Sequence, residues 1–75
     1  MTIDAAERAL MLRVHSIGPR MLSYLEAIGV QSLSSLRGAE AEELALRINI
    51  ALGKRHINRA GIAALKNLIA FANEQ

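Results

Sequence analysis

Seventy-five residues leave room for one small core and not for two, and a chain of this length hides only about 60% of its unfolded surface on folding. The absence of cysteine excludes a disulfide framework and a thiolate metal site, and a net charge of +2 suits a polyanionic partner as readily as an ordinary solvated surface. No apolar run is long enough to span a bilayer, and Asp4 and Glu7 interrupt any leader-like segment, so a single domain over residues 1–75 in the reducing cytoplasm is expected.

The elements follow one another as helices. Thr2 or Asp4 is placed to cap a first helix, with Glu7 in its opening turn and Ala6, Ala9, Leu10 and Val14 as its apolar stripe, up to about Val14. The segment Val14-His15-Ser16-Ile17-Gly18-Pro19-Arg20 then reads as a tight turn. Gly18 gives it a flexible backbone point and Pro19 opens the next helix, where a missing N–H costs nothing. Met21, Leu22, Leu25 and Ile28 line one face of that second helix, which Gly29 ends in a left-handed conformation. Ser32 caps a very short third segment through Leu33, Leu36 and Arg37, and Gly38 breaks it. A helix from Ala39 to Leu52 follows, with Ala41, Leu44, Ile48 and Leu52 inward and Glu40, Glu42 and Glu43 near its N-terminus, where the dipole favours negative charge. Gly53 stops it. The last helix starts at Asn58, a good cap, and turns Ile62, Leu65, Leu68, Ile69 and Ala72 inward; Gly61 in its first turn is unfavourable by about 1 kcal/mol against alanine. No strand alternation persists, so the expected fold is all-α, a compact bundle of four to five short helices.

The turn carries a resemblance. Ile17-Gly18-Pro19-Arg20, followed by Leu25 and by Ile28-Gly29-Val30, resembles the helix-hairpin-helix family. With the Leu33 to Leu36 segment it is most similar to the small C-terminal domain of the TfoX competence regulators and related stand-alone proteins, over roughly residues 10–72. Two positions differ from the family pattern: Ser16 stands where glycine is usual, and Leu22 where a small residue is usual. The resemblance implies a helix-hairpin-helix within the bundle and a DNA-associated, regulatory setting.

The chemistry of the turn agrees with that implication. The first free amides of a helix, the positive end of its dipole and the Arg20 guanidinium together suit a phosphate oxygen, a contact that positions a protein without reading bases. Gly18, Pro19 and Arg20 are the core of the candidate nucleic-acid site, and Ser16 adds a hydroxyl. Lys54, Arg55 and Arg59 are candidate extensions along adjacent phosphates; the alternative for Lys54 and Arg55 is a solvated loop offsetting the end of the preceding helix. The alternative for the turn itself is a plain helix connector whose Ile17 plugs the core. Arg13 has the same two readings, and Tyr24 shields the core edge. His15 and His56 have no ligand-spaced companion, and the three glutamates have no partner completing a pocket. No catalytic constellation, metal site or cofactor is therefore expected. The leading expectation is a non-enzymatic DNA-binding module with little sequence preference. The alternative is a helical protein-protein interaction or regulatory adaptor that offers Leu46 and Ile50, opposite the core face, to another chain or to itself. DNA against RNA, the protein partner and the oligomeric state are left open.

Overall fold

Apolar residues recurring every third or fourth position give each segment one face that only burial against another helix can take out of water. In a computed structural model describing residues 3–53 and 57–75, these faces converge from four helices. They are α1 (Ala5–Leu12), α2 (Pro19–Ala27), α3 (Ala41–Leu52) and α4 (Arg59–Glu74), with a 3-10 turn at Leu33–Leu36 between α2 and α3. No strand occurs among the described residues, so the fold is all-α. α3 is the shared neighbour, with α2 and α4 both packed on it, while α1 packs on α2 and the 3-10 turn on α4. Met11, Leu22, Leu25, Leu36, Ile48, Leu65 and Leu68 are fully buried, so every element contributes at least one side chain to a single core. No described helix is long and apolar enough to cross a membrane.

The helix ends follow local chemistry. Asp4 caps α1 by accepting from the Ala6 amide at 3.3 Å, and Asn58 caps α4 by accepting from the Gly61 amide at 3.0 Å. At the end of α2 the Val30 amide donates to Leu25 O at 3.0 Å and the Gly29 amide to Glu26 O at 3.1 Å, the paired bonds of a Schellman motif. Gly29 holds the positive φ, 88°, that this motif needs, and Val30 folds back onto the core.

Between the helices, side chains reach across long sequence separations to satisfy backbone amides. Glu26 Oε2 accepts from the Ile3 amide and Glu7 Oε1 from the Leu33 amide, each at 2.7 Å. Asn49 Oδ1 accepts from Ile57 at 2.9 Å and Asn73 Oδ1 from Gly38 at 3.1 Å. Arg37 donates through Nε and Nη2 to the carbonyls of Ala72 and Gln75, satisfying the C-terminal end of α4.

Several sequence expectations need correction. α1 ends at Leu12, not Val14, and its stripe is rotated: Ala6 and Ala9 are exposed, whereas Met11 is fully buried and Val14 is buried beyond the helix. The carboxylate of Glu7 sets that rotation, because it has to face the start of the 3-10 turn, and Leu10, Met11 and Val14 lie on the same side one and two turns on. Ser32 is the cap residue of the 3-10 turn, but its side chain makes no capping bond. Its hydroxyl bonds to those of Ser34 and Ser35, and Glu7 takes the Leu33 amide in its place. α3 starts at Ala41, two residues later than expected, with Glu40 as a cap residue that makes no side-chain bond. Gly61 is not a weak spot in α4: a Cβ there would meet Ile57 Cγ2 at 2.8 Å, and Ile57 is itself buried.

Two stability outcomes follow from this packing. Gly61→Ala, which helix propensity alone would make stabilising by about 1 kcal/mol, is expected instead to lower the thermal midpoint, because a buried β-branched side chain has to shift. Urea unfolding of Glu7→Ala is expected to show a loss of about 1.5–3 kcal/mol, since a partly buried amide then loses a charged acceptor. A loss below about 0.5 kcal/mol would mean that this bond does not hold the 3-10 turn to α1.

Candidate nucleic-acid interface

The turn between α1 and α2 is built from two successive backbone bonds. The Val14 amide donates to Met11 O and the Ile17 amide to Val14 O, each at 3.1 Å. The second bond closes a four-residue turn whose third residue, Ser16, has φ 70°. A positive φ at that place, with none at His15, is the type II pattern, which favours glycine because an L side chain there crowds the backbone. Ser16 thus holds the left-handed conformation at the position where the resembled family carries glycine. Gly18, by contrast, is extended at φ −120° and ψ 178°, a conformation open to any residue, and a Cβ on it would meet nothing within 4 Å. The expectation that Gly18 supplies the flexible point is corrected: the special backbone geometry sits two residues earlier.

Ile17 points into the core at 6% exposure, and this fixes the orientation of its neighbours. Ser16, Pro19 and Arg20 face solvent, and Gly18 is half-buried. Gly18 is the cap residue of α2 and brings no side-chain acceptor, while Pro19 occupies the first helical position. The first intrahelical bond runs from the Leu22 amide to Gly18 O at 3.3 Å. The amides of Gly18, Arg20 and Met21 consequently find no acceptor among the described residues. No acidic residue lies in the first turn of α2, whereas α1 carries Glu7 and α3 carries Glu42 and Glu43 in theirs. The Arg20 guanidinium, also in that turn, has no hydrogen-bond or ion-pair partner among the described residues. Unpaired amides, dipole and guanidinium all present positive charge outward at one place.

Arg59 is the first residue of α4 and is exposed, and that helix also lacks an acid in its first turn. It differs from α2 in having Asn58 as a side-chain cap. α2 and α4 each pack on α3 and are not among the substantially packed pairs, so Arg20 and Arg59 belong to separate helix starts. Lys54 and Arg55, and His56 beside them, lie outside the described residues. Arg13 is the exposed residue closing α1, and His15 is exposed. Tyr24 is half-buried against the core. Arg37 is exposed but engaged by α4, as described above. Sequence reasoning places free amides just after Pro19, where Arg20 and Met21 stand, but not the left-handed conformation of Ser16, because a turn hydrogen bond to Val14 is invisible in residue types. No pocket opens among the described residues, so the chemistry of this site is that of an exposed turn.

The fold and the turn define a small all-α domain with an uncapped, positively charged helix start. Comparison with family models, curated proteins and solved structures finds no match for the chain.

Ser16→Gly is expected to raise unfolding stability by about 1 kcal/mol, because it removes the left-handed cost at that residue, and calorimetry would read it as a higher midpoint. A lower midpoint would show that the serine hydroxyl compensates for its backbone.

Proposed function

We propose that this chain is a non-enzymatic DNA-binding module acting in the cytoplasm, whose α1–α2 turn works as a helix-hairpin-helix that contacts backbone phosphates with little sequence preference. One observation carries the reading. The N-terminus of α2 combines unsatisfied amides, no capping side chain, no first-turn acid and an arginine without a described partner. A phosphate oxygen supplies what that arrangement lacks, an anionic acceptor for the amides and a counter-charge for Arg20. Gly18, with open space over its Cα, lets the backbone approach a strand; Pro19 sets the helix direction; Ser16 presents its hydroxyl beside them. Lys54, Arg55 and Arg59 extend the contact along the duplex in this reading. None of these groups reads a base edge, so affinity comes from charge neutralisation and falls steeply with salt. A second reading, a protein-interaction adaptor, draws on a different observation: Leu46 and Ile50 of α3 stand 59% and 70% exposed.

Arg20→Glu separates binding from folding. An acid in the first turn of α2 relieves the dipole, so the variant should be as stable as the parent or more stable by about 0.3–1 kcal/mol. The same change should weaken affinity for a short duplex by roughly tenfold or more and flatten the salt dependence by about one phosphate contact. Fluorescence anisotropy with labelled duplex, at several salt concentrations, reads both quantities. Parent protein that binds no duplex at low salt, or Arg20→Glu protein that binds as tightly as the parent, would overturn the proposal.

A further inference from the structure

α1 is the least enclosed helix of the bundle. Its eight residues bury one side chain, Met11, where α3 buries four and α4 five, and Ala5, Ala6, Ala9 and Leu12 are exposed. Among the described helices, α2 is its one substantial packing neighbour. A helix of that length is not stable by itself in water, so α1 stays helical only while something holds it in place.

Two carboxylates supply much of that hold, and they are crossed. Glu7, on α1, accepts from the amide of Leu33, which follows α2; Glu26, in the last turn of α2, accepts from the amide of Ile3, which precedes α1. Both bonds are 2.7 Å long and partly buried, and a charged acceptor makes each stronger than a neutral one. Both also lie toward the start of α1 and the end of α2, the open end of the helix pair, with the Val14–Arg20 turn at the other.

We propose that these carboxylates form a clasp, and that α1 with its two flanking bonds is a conformational unit which opens as a whole while α2, α3 and α4 remain folded. The crossing carries the argument. Glu7 rides on α1 and Ile3 leads directly into it, so moving α1 away from α2 breaks both bonds together. The rest of the core does not depend on α1: α2 and α4 both pack on α3, and the 3-10 turn packs on α4. The opening also reaches the turn. Its first bond runs from the Val14 amide to Met11 O, so release of α1 removes that anchor and leaves the start of α2 without a fixed approach. The clasp therefore switches the α2 N-terminus between a positioned and a loose presentation from the far end of the hairpin. This inference stands without the proposed DNA contact, because the opening belongs to the free chain and is measured with no duplex present.

Native-state amide hydrogen exchange at low urea, followed by NMR, tests it. In the parent chain the amides of Arg8 to Leu12 and of Leu33 should exchange through one opening. Their common protection should lie at least about tenfold below that of Ile48, Leu65 and Leu68, with a smaller urea dependence. Glu26→Ala removes the acceptor of Ile3 alone, yet should speed exchange in α1 and at Leu33 by the same factor, about tenfold or more. Combined with Glu7→Ala it should strip protection from α1 while Ile48, Leu65 and Leu68 stay protected. Parent protection in α1 equal to that in α3 and α4, a Leu33 amide indifferent to Glu26→Ala, or a double variant that loses α3 and α4 along with α1 would each overturn the inference.

Discussion

A chain with one tyrosine, one phenylalanine and no tryptophan has little large apolar material with which to pin its connections, and it pins them with polar side chains sent out from the helices. Glu7, Glu26, Asn49 and Asn73 each give one oxygen to a backbone amide at the start or end of a distant segment. An amide left dry without an acceptor costs more than a hydrogen bond gains, so these contacts constrain where the connecting segments lie. They also set helix rotation. Glu7 turns α1 until Met11, not Ala6 or Ala9, meets the core.

Against that economy, the N-termini of α2 and α3 both lack a side-chain cap, and that of α2 also lacks the acids that α3 carries in its first turn. The amides that begin the 3-10 turn and α4 have acceptors in Glu7 and Asn58, and α1 has Asp4. Gly18, Arg20 and Met21 have none within the described chain. The turn that presents them is itself well determined, with Ile17 buried and two backbone bonds closing it, so the open donors sit on a positioned scaffold. The left-handed Ser16 shows the same priority, since the chain accepts a strained backbone there to keep the direction in which α2 departs.

The outward face of α3 presents a different chemistry from the turn. Its apolar pair is flanked by exposed charged side chains of both signs, whereas the turn offers charge of one sign.

Residue types alone determined the number and kind of elements, the stops at Gly29 and Gly53, the cap at Asn58, the burial of Ile17 and the exposure of Leu46 and Ile50. Each of these depends on hydrogen bonds or side-chain periodicity within about one or two helical turns, a range that a linear reading covers. Only the tertiary structure decided which face of α1 is buried, that Glu7 and not Ser32 serves the 3-10 turn, and that Gly61 makes room for Ile57. It also moved the special backbone of the candidate site from Gly18 to Ser16. A carboxylate whose partner lies 26 residues away, or a glycine whose value is the methyl group beside it, leaves no periodic trace along the chain, because the neighbour that gives it meaning is brought there by packing alone.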